Sequence, residues 1–264
     1  MSVKKEANGR RSVQVEVEVP GTPEQVWHAI ATGPGQAAWF VPAEVDGRVG
    51  GTVTHHFGGG MDSDSTITEW DAPHRFVAEG SWGPNSPTIA TEWTVEARDG
   101  GKCVVRVVHS LFAETDEWDN QIEGTESGWP TFFSILRLYL EHFAGQPSSL
   151  MQLVAMAPAD AGAWQKLAAD LNLAGATSGE RRNAGAGVPP LSGIVEAIDE
   201  KGAHPQVLLR TDLPAPGAVF ASVCPAGDKA FVSVNIYLYG ETAPSVVARD
   251  ESAWTAWMTN LFPA

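Results

Sequence analysis

Residues 125–143, TESGWPTFFSILRLYLEHF, decide the fold expected for the first half of the chain. A helix with a broad apolar stripe must bury most of its circumference, so it cannot lie loosely on a surface. We therefore predict a long helix that is gripped by a sheet. The stripe consists of Trp129, Phe132, Phe133, Ile135, Leu136, Tyr139, Leu140 and Phe143.

The segments before this helix predict one strand, two helices and a run of antiparallel strands. Residues 13–19 alternate Val with Gln and Glu, which is the period of a half-buried strand. TPE at residues 22–24 supplies an N-cap, a first-turn proline and a first-turn acid. GPG at residues 33–35 ends that helix, and a short second helix follows. Further strands are predicted at residues 52–57, 66–70, 75–82, 90–97 and 103–112.

The order of these elements predicts an α+β fold. Strands and helices do not alternate as a parallel sheet requires, so the sheet is antiparallel. We expect a helix-grip architecture, in which a curved sheet wraps around the long C-terminal helix. Curvature of the sheet would leave a cavity between sheet and helix. This cavity is inferred from the topology alone.

Short motifs along residues 12–145 carry a family resemblance. In chain order they are VWHAI (26–30), WF (39–40), RVGG (48–51), ITE (67–69), DAP (71–73), HS (109–110) and GW (128–129). In this order they resemble the START-like (SRPBCC) superfamily, within it the branch named after the activator of heat-shock protein 90 ATPase. The resemblance implies the helix-grip fold and an internal apolar cavity. It implies little about ligand or reaction, because a fold does not fix a function.

The second half of the chain repeats the order of the first. The spacing from Val154 to Trp164 equals that from Val17 to Trp27, and further strands and a final helix at residues 252–262 follow. Residues 172–190, rich in Gly, Ala, Ser and Pro, contain no strand signal. We predict two tandem helix-grip domains, residues 1–147 and 148–264. The second would be degenerate, with its first hairpin lost or shortened and with a smaller cavity or none; chance similarity is the alternative.

Composition and charge exclude several classes of function. The net charge of −15 would repel phosphate backbones, so we expect no nucleic-acid partner. No apolar run approaches the roughly 18 residues that a membrane-spanning helix needs. Residues 1–11 are polar and lack the apolar centre of a signal peptide, which predicts a cytoplasmic protein. The two cysteines are expected to be free thiols.

Two histidines are candidates for a ligand site. His55 and His109 alternate in step with apolar neighbours, so each could place a polar group inside an apolar pocket, or be an ordinary satisfied histidine. His55 and His56 point to opposite faces of a strand and cannot easily chelate together. The other histidines show no ligand spacing. We therefore expect no metal and no cofactor.

The aromatic residues complete the predicted site. The resemblance places Trp39, Phe40, Trp70, Trp129 and Phe133 in elements that border the cavity, although core packing is the alternative. The acidic segment of residues 114–126 is predicted to be a loop, which could cover the cavity mouth. The predicted ligand-binding residues are Trp39, Phe40, Val53, His55, Phe57, Trp70, Trp93, His109, Trp129, Phe133, Leu136 and Leu140.

Three functional hypotheses follow. The first is binding of a small hydrophobic molecule, such as a lipid, in the cavity of residues 12–145 without catalysis. The second is an interaction protein that stimulates a chaperone ATPase, as the name of the branch suggests. The third is a cyclase, dehydratase or hydrolase that uses His55, His109 or Glu69 as acid or base. Nucleophile motifs are missing from the sequence, which favours a protein that is not an enzyme. We also consider that the protein forms a homodimer.

Overall fold

The structure is a computed structural model that describes residues 3–58, 62–81, 83, 86–113, 115–159 and 162–263. The chain divides into two compact units, an N-terminal unit of Met1–Gly145 and a C-terminal unit of Gln146–Ala264. Each unit contains one antiparallel sheet and its own helices, so the predicted α+β class is confirmed. Within the described ranges, no helix combines the length and the apolar character needed to cross a bilayer.

The N-terminal unit is built on an eight-stranded sheet. Its strands are β1 (Lys4–Lys5), β2 (Arg10–Pro20), β3 (Ala43–Val45), β4 (Thr52–His56), β5 (Asp62–Asp71), β6 (Arg75–Gly80), β7 (Ile89–Arg98) and β8 (Lys102–Phe112). They are ordered β1-β2-β8-β7-β6-β5-β4-β3, so the first long strand pairs with the last and the others form a meander. The five strand segments predicted after the second helix coincide with β4 to β8. Trp82, the predicted end of one segment, lies outside the described residues.

Three helices complete this unit: α1 (Pro23–Ala31), α2 (Gly33–Ala37) and α3 (Asp119–His142). α1 begins where the sequence predicts. The Thr22 side chain accepts a hydrogen bond from the backbone N–H of Gln25, and the Gln25 side chain accepts one from the backbone N–H of Thr22. α3 packs along β2 and also contacts β8 and α1.

The GPG stretch at residues 33–35 is part of a helix, which corrects the prediction of a break. The Thr32 hydroxyl caps the first turn of α2 by accepting a hydrogen bond from the backbone N–H of Gly35, at 3.0 Å. A Cβ at Gly35 would lie 1.9 Å from the carbonyl oxygen of His28. Glycine is therefore required for α1 and α2 to meet this closely. The junction directs Gln36 and Trp39 into the interior, where both are buried.

α3 begins at Asp119, earlier than predicted, so the segment of residues 114–126 is mostly helical rather than a loop. Glu114, the first residue of that segment, lies outside the described residues. Arg11, whose side chain is only 7% exposed, binds Asp116 at 2.6 Å and Asp119 at 2.8 Å. Ile122 is fully buried. These contacts anchor the start of α3, although its composition alone favours a loop.

The C-terminal unit has a six-stranded antiparallel sheet and two helices. The strands are β9 (Ser148–Pro158), β10 (Arg181–Asn183), β11 (Ser192–Asp199), β12 (Gln206–Leu213), β13 (Gly217–Ala226) and β14 (Lys229–Tyr239), and the helices are α4 (Ala163–Asp170) and α5 (Ala243–Leu261). The sheet is ordered β10-β11-β12-β13-β14-β9, so here too the first strand pairs with the last.

Two details of this unit differ from the predictions. α5 begins at Ala243 rather than near residue 252, which adds more than two turns to the helix. The segment of residues 172–190 contains the short strand β10, paired with β11, although it shows no strand signal. Five strands follow the first helix of this unit, against six in the N-terminal unit, and the whole sheet has six strands against eight. Trp254 and Trp164 are buried in the core between helices and sheet.

Candidate ligand cavity

The N-terminal unit contains a cavity of about 340 Å³. Its walls come from strands β4 to β8, from the residues at and after α2, and from the first half of α3. This volume lies at the lower end of the range of small-molecule sites, about 300–1,000 Å³. Much of the lining is aromatic: Trp39, Phe40, Phe57, Phe76, Trp93, Trp129 and Phe132.

Small side chains on two central strands leave the space for this cavity. Alternate residues of β4 to β7 point to the face of the sheet that borders the cavity. On β5 and β6 the residues of this face are mostly small. Ser63 and Ser65 on β5 and Ala78 and Gly80 on β6 all border the cavity. A Cβ at Gly80 would lie 2.7 Å from the carbonyl oxygen of Asp64, so this position also needs glycine for the strands to approach.

Trp39 is at the centre of the aromatic wall and is 1% exposed. Its indole N–H donates a hydrogen bond to the carbonyl oxygen of Ala29 at 2.9 Å, which ties it to α1. Its ring lies 6.3 Å from that of Trp93 and 6.5 Å from that of Trp129. The Trp93 and Trp129 rings are perpendicular with centroids 5.0 Å apart, which is a favourable edge-to-face arrangement. The wall is therefore held rigidly.

His109 is fixed as a neutral imidazole of one tautomer. The Trp129 indole N–H donates to Nε2 of His109 at 2.7 Å, and an indole can only donate, so Nε2 carries no hydrogen. Nδ1 must then carry it and donate to the Thr91 hydroxyl oxygen at 3.0 Å. Burial lowers the pKa of His109 to about 4. With both ring nitrogens occupied, His109 is a structural group of the cavity wall and a poor acid or base.

His55 is held in the opposite tautomer. The Gln36 amide nitrogen donates to the carbonyl oxygen of Ile30 at 2.8 Å, so its amide oxygen faces His55. That oxygen lies 2.7 Å from Nε2 of His55, which must therefore be the donor. Burial, with a smaller contribution from His56, lowers the pKa of His55 to about 4. Nδ1 is left as an acceptor, without a hydrogen-bond partner among the described residues.

The cavity wall carries no positive charge at neutral pH. Both histidines are neutral, and Asp64 is the one charged residue among the described residues that border the cavity. Asp64 is exposed and accepts a hydrogen bond from the Thr54 hydroxyl at 2.6 Å. An anion buried here would have no partner of opposite charge.

Most of the predicted ligand-binding residues border the cavity. Those that do are Trp39, Phe40, Val53, His55, Phe57, Trp93, His109 and Trp129. Thr91 and Phe132 are among the other residues that border it, and the sequence predicts them only as strand or stripe residues. Thr91 is paired with His109 across β7 and β8, and its role depends on that register.

Four predicted residues lie elsewhere. The Trp70 ring packs against Trp27 at 5.0 Å and against Phe76 at 5.5 Å, so it lies behind Phe76, which takes the lining position. A β-bulge between Ile67 and Glu69 interrupts the strand alternation just before Trp70. The remaining three residues are buried on α3 but do not line the cavity: Phe133, Leu136 and Leu140. The cavity lies along the first half of α3, at Gly124 to Phe132.

Glu69, the carboxylate considered for acid–base chemistry, lies outside the cavity, as does its neighbour Glu92. Glu69 and Glu92 both bind the Arg75 guanidinium, Glu92 at 2.8 Å, across strands β5 to β7. These two carboxylates raise the pKa of Arg75, and neither borders the cavity. Glu69 is therefore not placed to act on a bound molecule.

Metal-ligating residues do not converge in the parts of the chain that the structure describes, where no group of three His, Cys, Asp or Glu side chains could hold an ion. His56 faces away from His55, with Asp62 at 3.1 Å and Glu44 at 3.9 Å. His56 therefore belongs to a surface cluster of polar side chains.

The C-terminal unit has a cleft of about 620 Å³ beside β9, β14 and the last turns of α5. It is larger than the cavity of the N-terminal unit, but it lies along a sheet edge, and a smaller helix-grip cavity or none stays a prediction for this unit. The cleft follows the edge strand β9, where Val154 and Met156 are exposed at 56% and 41%. Its lining has no histidine and none of the paired aromatic rings of the N-terminal cavity.

A family model described as activator of Hsp90 ATPase homolog 1-like protein matches residues 20–141. The matched residues lie within the N-terminal unit, and the match confirms the resemblance that the sequence motifs predict. A comparison with curated proteins found no match.

Several solved structures are similar to this chain. Protein MLL2253 from Mesorhizobium loti is 19% identical with a TM-score of 0.46, and the match covers 50% of this chain and 98% of that one. DynU16, from the dynemicin biosynthetic locus, is 17% identical with a TM-score of 0.44 over 95% of this chain and 97% of its own. The Aha1 dimer from Colwellia psychrerythraea is 20% identical with a TM-score of 0.42, over 50% and 96%.

The neutral state of His109 predicts a pH-dependent stability. Its pKa is about 4 in the folded state and about 6.5 when unfolded, so the unfolded state binds more protons between these values. The stabilisation is complete above pH 6.5 and is lost as the pH falls toward 4, by about 3 kcal/mol at pH 4. Urea unfolding at pH 7 and pH 4.5 measures this loss. His109→Gln should reduce the loss by about this amount and leave the similar contribution of His55, whereas an unchanged dependence in the variant would contradict the assignment.

Proposed function

We propose that the N-terminal unit binds a small, mostly apolar and uncharged molecule in its cavity, and that binding, without catalysis, is its role. The observation that carries this proposal is an aromatic wall interrupted by two histidines that are both held neutral. Apolar walls with a few fixed polar groups are typical of small-molecule sites. The internal apolar cavity that the superfamily resemblance implies agrees with this role.

The charge of the lining favours a neutral ligand over an anionic one. Burying a carboxylate without a cation or several hydrogen-bond donors costs several kcal/mol. Asp64 adds a negative charge to the wall. A lipid with an acidic head group would have to keep that group at the cavity mouth, in water.

A matched pair of probes tests this preference. At pH 7.5 we expect 4-phenylbenzyl alcohol to bind at least about tenfold more tightly than biphenyl-4-carboxylate, since tenfold corresponds to about 1.4 kcal/mol and the cost of burying the charge exceeds this. Isothermal titration calorimetry with the full chain measures both constants. Equal or tighter binding of the carboxylate would contradict a neutral-ligand site.

Catalysis by His55 is the alternative that one observation favours. Its Nδ1 is an acceptor without a described partner and could take a proton from a bound molecule. The pKa of about 4 makes His55 a weak base at neutral pH, which disfavours this role. Mass spectrometry of a co-purified molecule before and after incubation would detect conversion. Conversion that is lost in His55→Ala and kept in His56→Ala would establish the enzyme and overturn the binding role.

We further propose that the C-terminal unit is a shortened copy of the N-terminal domain, with the boundary near residues 147 and 148. Both units follow the order strand, helix, antiparallel strands and long helix, and in both the first long strand pairs with the last. The loss of one strand after the first helix fits the short segment at residues 172–190. A chaperone partner, a homodimer and a cytoplasmic location stay predictions.

A further inference from the structure

Two residues that border the ligand cavity, on different strands, each have an unfilled hydrogen-bonding position. Nδ1 of His55, on β4, can only accept a hydrogen bond. The Thr91 oxygen, on β7, already accepts from His109, and its own hydroxyl hydrogen has no acceptor among the described residues. It is therefore left as a donor. Both residues border the cavity.

These two groups are well separated. In the sheet order β4-β5-β6-β7, three inter-strand steps lie between His55 and Thr91, about 14 Å at ~4.8 Å a step. The register, which sets Thr91 opposite Ala78 and Ala78 opposite Ile67, adds an offset of four residues along the strands, about 13 Å at ~3.3 Å a residue. The aromatic rings of Phe40 and Trp129 lie between the two ends, since the Phe40 ring contacts both His55 and Trp129. A ligand that satisfies both groups must therefore be elongated, with an apolar middle.

The first half of α3 adds a constraint on shape. Gly124 and Gly128 are one helical turn apart, and both border the cavity. A Cβ at either position would meet no described atom within 4 Å, so close packing within the described residues does not explain the glycines. Glycine within a helix costs about 0.5–1 kcal/mol relative to alanine. The open strip beside them provides a flat surface that is continuous with the cavity.

We propose that the ligand is an uncharged, flat and elongated molecule with a hydroxyl at one end and a carbonyl at the other. The hydroxyl donates to Nδ1 of His55, the carbonyl accepts from the hydroxyl of Thr91, and the rings lie between α3 and the aromatic wall. This inference rests on the proposed function, because it assumes that the same cavity is the binding site. It makes Thr91, His55 and Gly128 the residues that determine specificity.

Four biphenyls of nearly equal size test the two ends separately. 4-Acetyl-4′-hydroxybiphenyl carries both groups, 4-acetylbiphenyl lacks the hydroxyl, 4-ethyl-4′-hydroxybiphenyl lacks the carbonyl, and 4-ethylbiphenyl lacks both. We expect the first to bind most tightly to the full chain in calorimetric titrations. Each missing group should weaken binding by about three- to tenfold, the usual contribution of one hydrogen bond.

Substitutions assign each preference to its residue. Thr91→Val should abolish the preference for acetyl over ethyl, and His55→Phe should abolish the preference for the hydroxyl. Thr94→Val and His56→Phe are the matched controls and should keep both preferences. Thr94 lies on the same strand and does not border the cavity, and its hydroxyl has no hydrogen-bond partner within the described part of the chain. Because ratios of affinities are compared, a general loss of stability in a variant does not imitate the result.

Gly128→Ala tests the position of the ligand against α3. The substitution should raise the melting temperature of the free protein, because alanine favours the helix. It should also weaken all four biphenyls by about five- to tenfold through overpacking. Unchanged affinities would overturn this placement.

The outcomes separate the inference from the function on which it rests. If all four biphenyls bind equally, the donor and acceptor ends are wrong while the apolar site stands. If Thr94→Val removes the acetyl preference as fully as Thr91→Val, the assignment to Thr91 is wrong. If none of the four binds up to its solubility limit, both the inference and the proposed function are overturned.

Discussion

Replacement of Trp39 by alanine is expected to lower the free energy of unfolding of the N-terminal unit by about 3–5 kcal/mol. Trp39 is 1% exposed, and its ring lies within 6.5 Å of the rings of Phe40, Trp93, Trp129 and Phe133. Its removal leaves a large void and frees the carbonyl oxygen of Ala29 from its hydrogen bond. The wall of the cavity would lose the ring that holds the others in place.

Hydrogen exchange measured on peptides of β7 and β8 tests this expectation within the full chain. This readout reports on the N-terminal unit alone, whereas a two-unit chain need not unfold in one step. Phe112→Ala is the control, because Phe112 is 63% exposed and its loss should change stability by less than about 0.5 kcal/mol. Protection in Trp39→Ala equal to that of the control would contradict a rigid aromatic wall centred on Trp39.

Gly128→Phe should abolish ligand binding while leaving the fold intact. The new side chain would project from α3 into the open space of the cavity, where a Cβ meets nothing within 4 Å. The ring would occupy much of the volume that a ligand needs, so we expect affinity for 4-ethylbiphenyl to fall by at least about a hundredfold, equal to about 2.7 kcal/mol. Helix content should be unchanged, because phenylalanine is a better helix former than glycine.

Ser134→Phe is the matched control for this substitution. Ser134 lies on the same helix but is exposed, so a phenylalanine there adds the same ring outside the cavity. The Ser134→Phe variant should bind 4-ethylbiphenyl with the same affinity as the unmodified protein. Retained binding in Gly128→Phe, with circular dichroism showing an intact fold, would mean that the ligand occupies some other site.

Periodicity in the sequence predicts the fold because the strands and the long helix each bury one side. The stripe from Trp129 to Phe143 fixes α3 against a sheet, and the alternation of valines fixes β2. The start of α3 is not predicted, because it depends on the buried contact of Arg11 with Asp116 and Asp119, more than one hundred residues away in the chain. Contacts between distant segments leave no periodic signal.

The sequence predicts only part of the candidate site, because periodicity identifies some of its residues and not others. His55 and His109 stand out because a polar residue occupies an apolar position of a strand. Periodicity cannot distinguish a residue that lines a cavity from one packed in the core, so Leu136 and Leu140 are predicted to line it and do not. Thr91 is ordinary in sequence, and it gains a role only through the register that sets it opposite His109.

Small residues border the cavity, and the sequence pattern alone does not identify them as lining residues. Ser65 on β5 and Ala78 and Gly80 on β6 open the cavity by what they lack, and Gly124 and Gly128 do the same on α3. In the sequence such residues indicate only turns, flexibility or solvent exposure. They acquire meaning once the strands are in register and the helix lies across them.

Native mass spectrometry of the purified full chain tests the central claim most directly. Gly128→Phe and Ser134→Phe are prepared in parallel, and each of the three proteins is supplied with 4-ethylbiphenyl. The cavity of the N-terminal unit predicts one bound molecule per chain in the unmodified protein and in Ser134→Phe, and none in Gly128→Phe. An equal amount of bound molecule in all three proteins, or none in any of them, would contradict the claim that this cavity binds an uncharged apolar ligand.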